Sequence, residues 1–394
     1  MNATDMFGPA LPELIAWRRD IHAHPETAFE ELRTSAFVAD KLTEFGLHVH
    51  RGLAKTGVVG TLRAGTRDRA IGLRADMDAL NMQELNVFAH RSTHDGKMHA
   101  CGHDGHTVML LGAARHLART RNFDGIVHFI FQPAEENEGG GRVMVQEGLF
   151  DKFPCAAVYG MHNMPGIAVG QMAVQDGPAL ASSDSWEVIM RGRGTHGAKP
   201  HLGTDATVAA ANFIMALQTI ASRTVDPLDS AVISLGSMTA GVPETWNVIP
   251  AEVRLRGTAR AFRPHVRDLL EASIGRVADG AARSHGCRAD YRYIRRNPPV
   301  VNTRANAQIA ARAAARALGA DNVLRDFPPS TAGEDFSFML EKVPGAYVWI
   351  GIGPGEEGCL HHNPRYDFND SALPVGAAFW TSLVETELPT RGSS

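Results

Sequence analysis

The stretch MHACGHDGHTVMLLGAARHLA, Met98 to Ala118, joins two different kinds of sequence. From Thr107 onward it is an apolar helical pattern. Before Thr107 it crowds Cys101, Asp104 and three histidines, His99, His103 and His106, into nine residues. On either side lie short runs rich in branched residues: GVVGTLRA and AIGLRADMD before it, GIVHFIFQ and AAVYGMH after it. Strands that are apolar almost throughout and alternate with helices predict a mostly parallel sheet sandwiched by helices, an α/β fold. A helical pattern from Leu11 to Gly46, interrupted by a turn at HAHPE, precedes these strands, and YVWIGIG adds an apolar strand near the far end.

Between the two parts the pattern changes. From Ser183 the order is strand SWEVIMRG, helix DATVAAANFIMALQTIAS, strand SAVISLGSM, strand AEVRLRGTARA, helix RPHVRDLLEASIGRVADGAARSHG and strand RADYRYI. That β-α-β-β-α-β order is the ferredoxin-like α+β arrangement. RRNPPVVN then reads as a linker back to the first pattern. A chain of 394 residues exceeds what one core usually spans. The expected organisation is therefore a discontinuous domain over 1–182 and 298–394, with residues 183–297 inserted as a second one.

Lys plus Arg number 39 against 43 Asp plus Glu, a net charge of -4, which offers no basic footprint for nucleic acid. The pairs Arg18-Arg19 and Arg295-Arg296 read as solvated faces. No positively charged leader opens the chain, and no run of about 18 apolar residues occurs, so a cytoplasmic protein without a membrane partner is expected. Cys101, Cys155, Cys287 and Cys359 are too few and too scattered for a disulfide framework.

The polar residues fall at telling places. Asp76 and Asp78 close one expected strand, Glu135 and Glu136 follow the next, and His162 follows the next again. All lie at carboxyl ends of expected parallel strands, where open α/β sheets hold ligands. Cys101 and His103 are expected in the loop leading into the helix at Thr107, and CLHHNP brings a further candidate pair, His361 and His362, from far along the chain. Thiolate, imidazole and carboxylate together suit borderline transition ions such as zinc, cobalt, nickel or manganese. Of two adjacent carboxylates, one can bind metal while its neighbour moves a proton. The chemistry this best fits is metal-assisted hydrolysis of an amide. Asp78 reads as a group that orients a ligand. GRGTHG, Gly192 to Gly197, matches a dinucleotide fingerprint only formally, since Pro200 stands where a helix should open. EGGGR, Glu138 to Arg142, lacks the residues of a phosphate loop and reads as a turn beside the carboxylates.

HAHPETAFEE, GLRADMDAL, MHACGHDGHT, FQPAEE, MHN, GTHGAKPHLGTDA, NVIPAE, AGEDFS and LHHNPRYDFND, in this order, span nearly the whole chain. On them the chain resembles the hippurate hydrolase, aminoacylase and auxin-conjugate hydrolase family of two-metal amidohydrolases, allied to metal-dependent carboxypeptidases with an inserted dimerisation domain. The resemblance implies two divalent transition-metal ions per subunit (Zn, Mn, Co or Ni), bridged by Cys101 and held further by His103, Glu136, His162 and His362. The last is chosen over His361 because it directly precedes the Asn-Pro turn. It implies Glu135 as the general base. It also implies His196 as a group that reaches the neighbouring subunit's substrate and steadies the oxyanion, Asn247 and Arg260 as groups that hold substrate, and a homodimer formed through residues 183–297. Glu334 and Asp335 would support the site. The implied reaction is hydrolysis of N-acyl amino acids, hippurate-like, with N-aroyl or N-acetyl groups. A dipeptidase or carboxypeptidase on the same metals and a non-catalytic metal-binding protein are the rivals. One departure is Asn81 in DALNMQE, where relatives carry proline.

Overall fold

The computed structural model describes residues 6–136, 138–355 and 360–390. They form two compact units. One comprises Met1–Ala179, Val301–Pro328 and Asp335–Ser394, the other Leu180–Val300 and Pro329–Glu334. The strands used below are β1 (His48–Leu53), β2 (Gly57–Ala64), β3 (Ala70–Asp76), β4 (Gly125–Gln132), β5 (Ala157–Met164) and β6 (Met172–Ala173) in the larger unit. β7 (Ser183–Arg191), β8 (Ala231–Ala240), β9 (Glu252–Ala261) and β10 (Arg288–Asn297) follow in the smaller unit, and β11 (Val323–Leu324) and β12 (Gly345–Gly351) return to the larger. The main helices are α1 (Leu11–Ala23), α2 (Leu32–Glu44), α3 (His103–Thr120), α4 (Ala206–Thr219), α5 (Pro264–Ser284), α6 (Arg304–Leu318) and α7 (Leu373–Glu387).

The larger sheet has the order β1-β2-β4-β3-β5-β12-β6-β11. Its centre, β4-β3-β5-β12, is parallel throughout, and antiparallel pairs flank it on both sides. β3 and β12 are buried at every residue, which is why their sequences are apolar rather than alternating. The exception inside β3 is Arg74, fully buried and bonded to Asp76, Gln132 and Asp335. α3 buries Val108, Met109, Leu110, Leu111 and Leu117 in the core of this unit, each such side chain contributing roughly 1.5–3 kcal/mol. From β3 the chain passes through α3 to β4 on one side of β3, then crosses to β5 on the other. That reversal opens a crevice between the carboxyl ends of β3 and β5, where Asp76 and His162 lie.

The smaller unit is an antiparallel sheet of order β8-β9-β7-β10, the ferredoxin-like arrangement, with α4 and α5 contributing to its core. β7 alternates buried and half-buried residues, as a sheet covered on one face requires. Asp205 caps α4 by accepting from Thr207 N and Val208 N.

Four local expectations need correction. α3 begins at His103 rather than Thr107, so His103 is a helical residue. β1 is not among the expected strands, because its polar, largely exposed edge sequence HVHRGL lacks the apolar signature. Residues 329–334, expected with the large domain, group with the smaller unit, where Ser330 O accepts from Ala181 N. Arg18 is fully buried instead of solvated, paired with Asp367 and Asp370 at 2.7 Å each. Cys101, Cys155 and Cys287 are free thiols, and Cys359 lies outside the described residues. Among the described residues no helix is long and apolar enough to cross a membrane.

Candidate metal centre

β3 ends at Asp76, and two residues later Asp78 takes hold of two other segments. Its backbone O and Oδ1 lie 2.9 and 3.3 Å from Nδ1 of His103, and its Oδ2 accepts from the Glu136 N–H at 3.0 Å. The first of these requires a proton on Nδ1 of His103, which leaves Nε2 as the nitrogen that can ligate. Gly102 sets the turn between Cys101 and His103. Its φ is +94°, and a Cβ there would stand 2.4 Å from Asn163 Oδ1 and 2.6 Å from Tyr366 Oη, so only glycine fits.

His162, on β5, donates from Nδ1 to Asn163 O at 2.7 Å, which likewise turns its Nε2 outward, 3.4 Å from Cys101 Sγ. His362, at φ +59°, places Nε2 3.2 Å from Glu136 Oε1. Two three-donor groups result: Cys101 with His103 and His162, and Cys101 with Glu136 and His362. Within each group the ligand atoms lie within 4.8 Å of one another. The fold thus gathers all five expected ligand residues, with Cys101 common to both groups. Glu135 joins His103 and Glu136 in a further group.

This donor set fits divalent transition ions. His103 Nε2 is buried with no hydrogen-bond partner, an arrangement that costs about 1–3 kcal/mol unless something else satisfies it. The charges point the same way. Burial pushes the Cys101 thiol well up, and the Glu136, Glu135 and Asp76 carboxylates push it further, so a thiolate needs a cation beside it. Burial alone would depress His103, yet Asp76, Asp78 and Glu136 outweigh it and raise the ring to about 10, so these carboxylates favour a positive charge at Nε2, where a metal ion would have to displace a proton. Burial and the neighbouring imidazoles keep His162 well below its ordinary value, in the neutral form that ligates metals.

His361 is turned elsewhere. Asn163 Nδ2 donates to its Nε2 at 2.9 Å and to Tyr366 Oη at 2.7 Å, and His361 belongs to neither donor group. Burial and nearby imidazoles lower it to about 3. Sequence reasoning passed over His106, whose Nδ1 donates to Asp76 Oδ1 at 2.6 Å and whose Nε2 lies 2.7 Å from Asn163 Oδ1. The signal was present, since His103 and His106 stand three residues apart and share a helix face. Asn163 and Tyr366 carried no comparable signal. Asp335 accepts from Arg74, Gln132 and Gly141 and so braces the ends of β3 and β4.

In the smaller unit, Thr195–His196 and Val248–Ile249 form a two-stranded ribbon with His196 opposite Val248. Gly197 N donates to Asn247 O at 2.7 Å, which places His196 and Asn247 side by side. His196 Nδ1 accepts from Ala198 N at 3.0 Å, so its ring proton sits on Nε2. Arg260 is not near them within one chain. It lies toward the far end of β9, separated from Glu252 by about 26 Å of extended strand at roughly 3.3 Å per residue.

Known proteins resemble the chain in sequence and in fold. Residues 72–386 match the model of Peptidase family M20/M25/M40. The chain is 40% identical to hippurate hydrolase of Campylobacter jejuni over 93% of its own length and 94% of that protein's. It is 37% identical to N-acetylcysteine deacetylase of Bacillus subtilis, covering 96% and 97% of the two chains. Among solved structures, the YXEP protein of Bacillus subtilis, described as a dinuclear metal binding peptidase of the M20 family, superposes with a TM-score of 0.85 at 34% identity, covering 96% of this chain and 99% of that one. With the fold, the donor set and these relatives in agreement, the chain belongs to peptidase family M20/M25/M40 and is a metal-dependent amidohydrolase.

Proposed function

We propose that this enzyme hydrolyses the amide bond of N-acyl amino acids, hippurate-like substrates with N-aroyl or N-acetyl groups, and releases a carboxylic acid and a free amino acid. The observation that carries the reading is the pair of donor groups sharing Cys101, with Glu135 beside Glu136 at their edge. The relatives named for hippurate and for N-acetylcysteine support the substrate class. Cys101, His103 and His162 would hold one ion, and Cys101, Glu136 and His362 the other, the ions being Zn, Mn, Co or Ni. Bound there, they supply Lewis acidity and a water acidic enough to attack near neutral pH.

The chain's own residues complete the reaction. Glu135 takes a proton from the attacking water as the new C–O bond forms, then delivers it to the amine nitrogen as the C–N bond breaks. Negative charge on the former carbonyl oxygen needs a fixed donor, and His196 offers Nε2–H. We assign this role to His196 of a second copy, with Asn247 and Arg260 holding the substrate's carbonyl or carboxylate. A homodimer through residues 183–297 is supported by the open edge of the smaller sheet at β8, where Val232 and Met238 are exposed, and by exposed Val208 and Met215 on α4.

Metal-reconstituted enzyme should hydrolyse N-benzoylglycine or N-acetyl amino acids at least about tenfold faster, in kcat/KM, than unblocked dipeptides. Dipeptide turnover equal to or above these would move the activity to a dipeptidase. Mixing inactive His196→Ala and Glu135→Gln proteins should restore about a quarter of wild-type activity, because half of random dimers are mixed and half of their sites are intact. No recovery after verified subunit exchange would remove His196 from the partner's site.

A further inference from the structure

Glu31 lies in HPETAFEE, a stretch the chemistry above does not use. Its side chain is fully buried. Oε1 accepts from Phe29 N at 3.1 Å and from Ala134 N at 2.9 Å, and Oε2 accepts from the Thr56 hydroxyl at 2.6 Å. Two of the donors share an unusual feature. Phe29 (φ +60°) and Ala134 (φ +56°) occupy the left-handed region, as do Ala54 (φ +48°) and Lys55 (φ +67°), which lead into Thr56. Two of the six non-glycine residues with positive φ among the described residues therefore donate to one carboxylate, and two more directly precede its third donor, Thr56. Such conformations persist only where the surroundings over-determine them.

Ala134 is the residue directly before Glu135, so its torsions set the direction in which Glu135 leaves the chain. It is held at both backbone groups, by Glu31 at N–H and by Gly140 N, which donates to its O at 2.9 Å. Gly140 can be nothing larger, since a Cβ there would meet Pro133 O at 1.8 Å, and this accounts for the middle glycine of EGGGR. On the other side, the Glu136 N–H is held by Asp78. Glu135 is thus bracketed by two peptide N–H groups, each bound to a buried carboxylate.

We propose that Glu31 is a positioning residue for Glu135, locking the left-handed Ala134 so that the base points at the reacting centre. The proposal rests on the reading of Glu135 as general base. Burial pushes Glu31 up to about 7, against the pull of Thr56 and the backbone donors and with a further push from Asp78. Oε1 accepts in either protonation state, so the lock depends on an acceptor and not on a charge.

The test compares E31A, E31Q and T56V in the full-length, metal-loaded protein. It measures amide hydrogen exchange at Ala134, metal content, kcat and KM. In E31A, exchange at Ala134 should rise at least about tenfold, and kcat per folded molecule should fall about 10- to 100-fold. KM should stay within about threefold and metal content should match the wild type. E31Q, which keeps the acceptor, should recover both readouts to within about threefold of wild type. Unchanged Ala134 exchange in E31A, wild-type kcat per folded molecule, or an E31Q as impaired as E31A would overturn the proposal. If E31A does not fold, T56V carries the test, with exchange expected to rise about threefold and unchanged exchange counting against the lock. An active E135Q would sink the assignment of the base, while the exchange measurement would still report separately on the hold of Glu31 on the turn.

Discussion

Glu135→Gln is expected to bind metal as the wild type does and to lose turnover by about three powers of ten, the scale of a positioned general base. The two adjacent glutamates are distinguished by what surrounds them. Glu136 has its N–H fixed by Asp78 and its Oε1 buried, 3.2 Å from His362 Nε2 and 3.9 Å from His103 Nε2, and it shares a donor group with Cys101. Glu135 is grouped with His103 and Glu136, and its carboxylate pushes the Cys101 thiol up without sharing a donor group with it. Glutamine is isosteric and cannot take up the water's proton, so kcat should fall while KM and the metal content measured by atomic emission stay near wild type. Glu136→Gln should show the opposite pattern, with metal lost first and activity lost in consequence. Comparable activity in Glu135→Gln would remove it as the base.

Cys101→Ser should cost the enzyme both ions. Because Cys101 belongs to both donor groups, its loss subtracts one ligand from each site. The decrement in affinity should exceed the roughly 10- to 100-fold that follows loss of a mere outer partner of a ligand. Metal content after dialysis should fall below one ion per chain, and activity should not return at metal concentrations that restore chelator-treated wild type. The same chelator treatment should lower the melting temperature of the wild type, since ions that bind only the folded chain stabilise it by mass action, whereas the variant should show little further change. A Cys101→Ser protein that keeps two tightly held ions would refute the sharing of this thiol.

Much of this architecture is legible in the sequence because burial writes itself into composition. β3 and β12 are buried at every residue and read as largely apolar runs, and β7 is covered on one face and alternates. The start of α3 was not legible. CGHDGH carries two glycines and reads as a loop, yet Gly105 is helical and must be glycine because the Phe368 ring would lie 2.4 Å from its Cβ. A contact made by a residue so far along the chain leaves no local trace. The roles of Asn163 and of Glu31 were hidden for the same reason. Their meaning lies in which distant groups they touch, Tyr366 and His361 for one and Ala134 for the other. The choice between His361 and His362 needed the family's Asn-Pro turn. In the structure Asn163 engages His361, while His362 is grouped with Cys101 and Glu136.

α7 is buried at nearly every residue and stacks on α3 so closely that a Cβ on Gly376 would collide with the Met109 side chain. A chain growing from its N-terminus has already made Cys101, His103 and His162 while α7 is still unsynthesised, but the surface of α3 that α7 must cover is then bare. The core of the larger unit therefore closes only after Leu373–Glu387 have been made. A product truncated ahead of Leu373 would be a misfolding hazard for the cell and not a smaller catalyst.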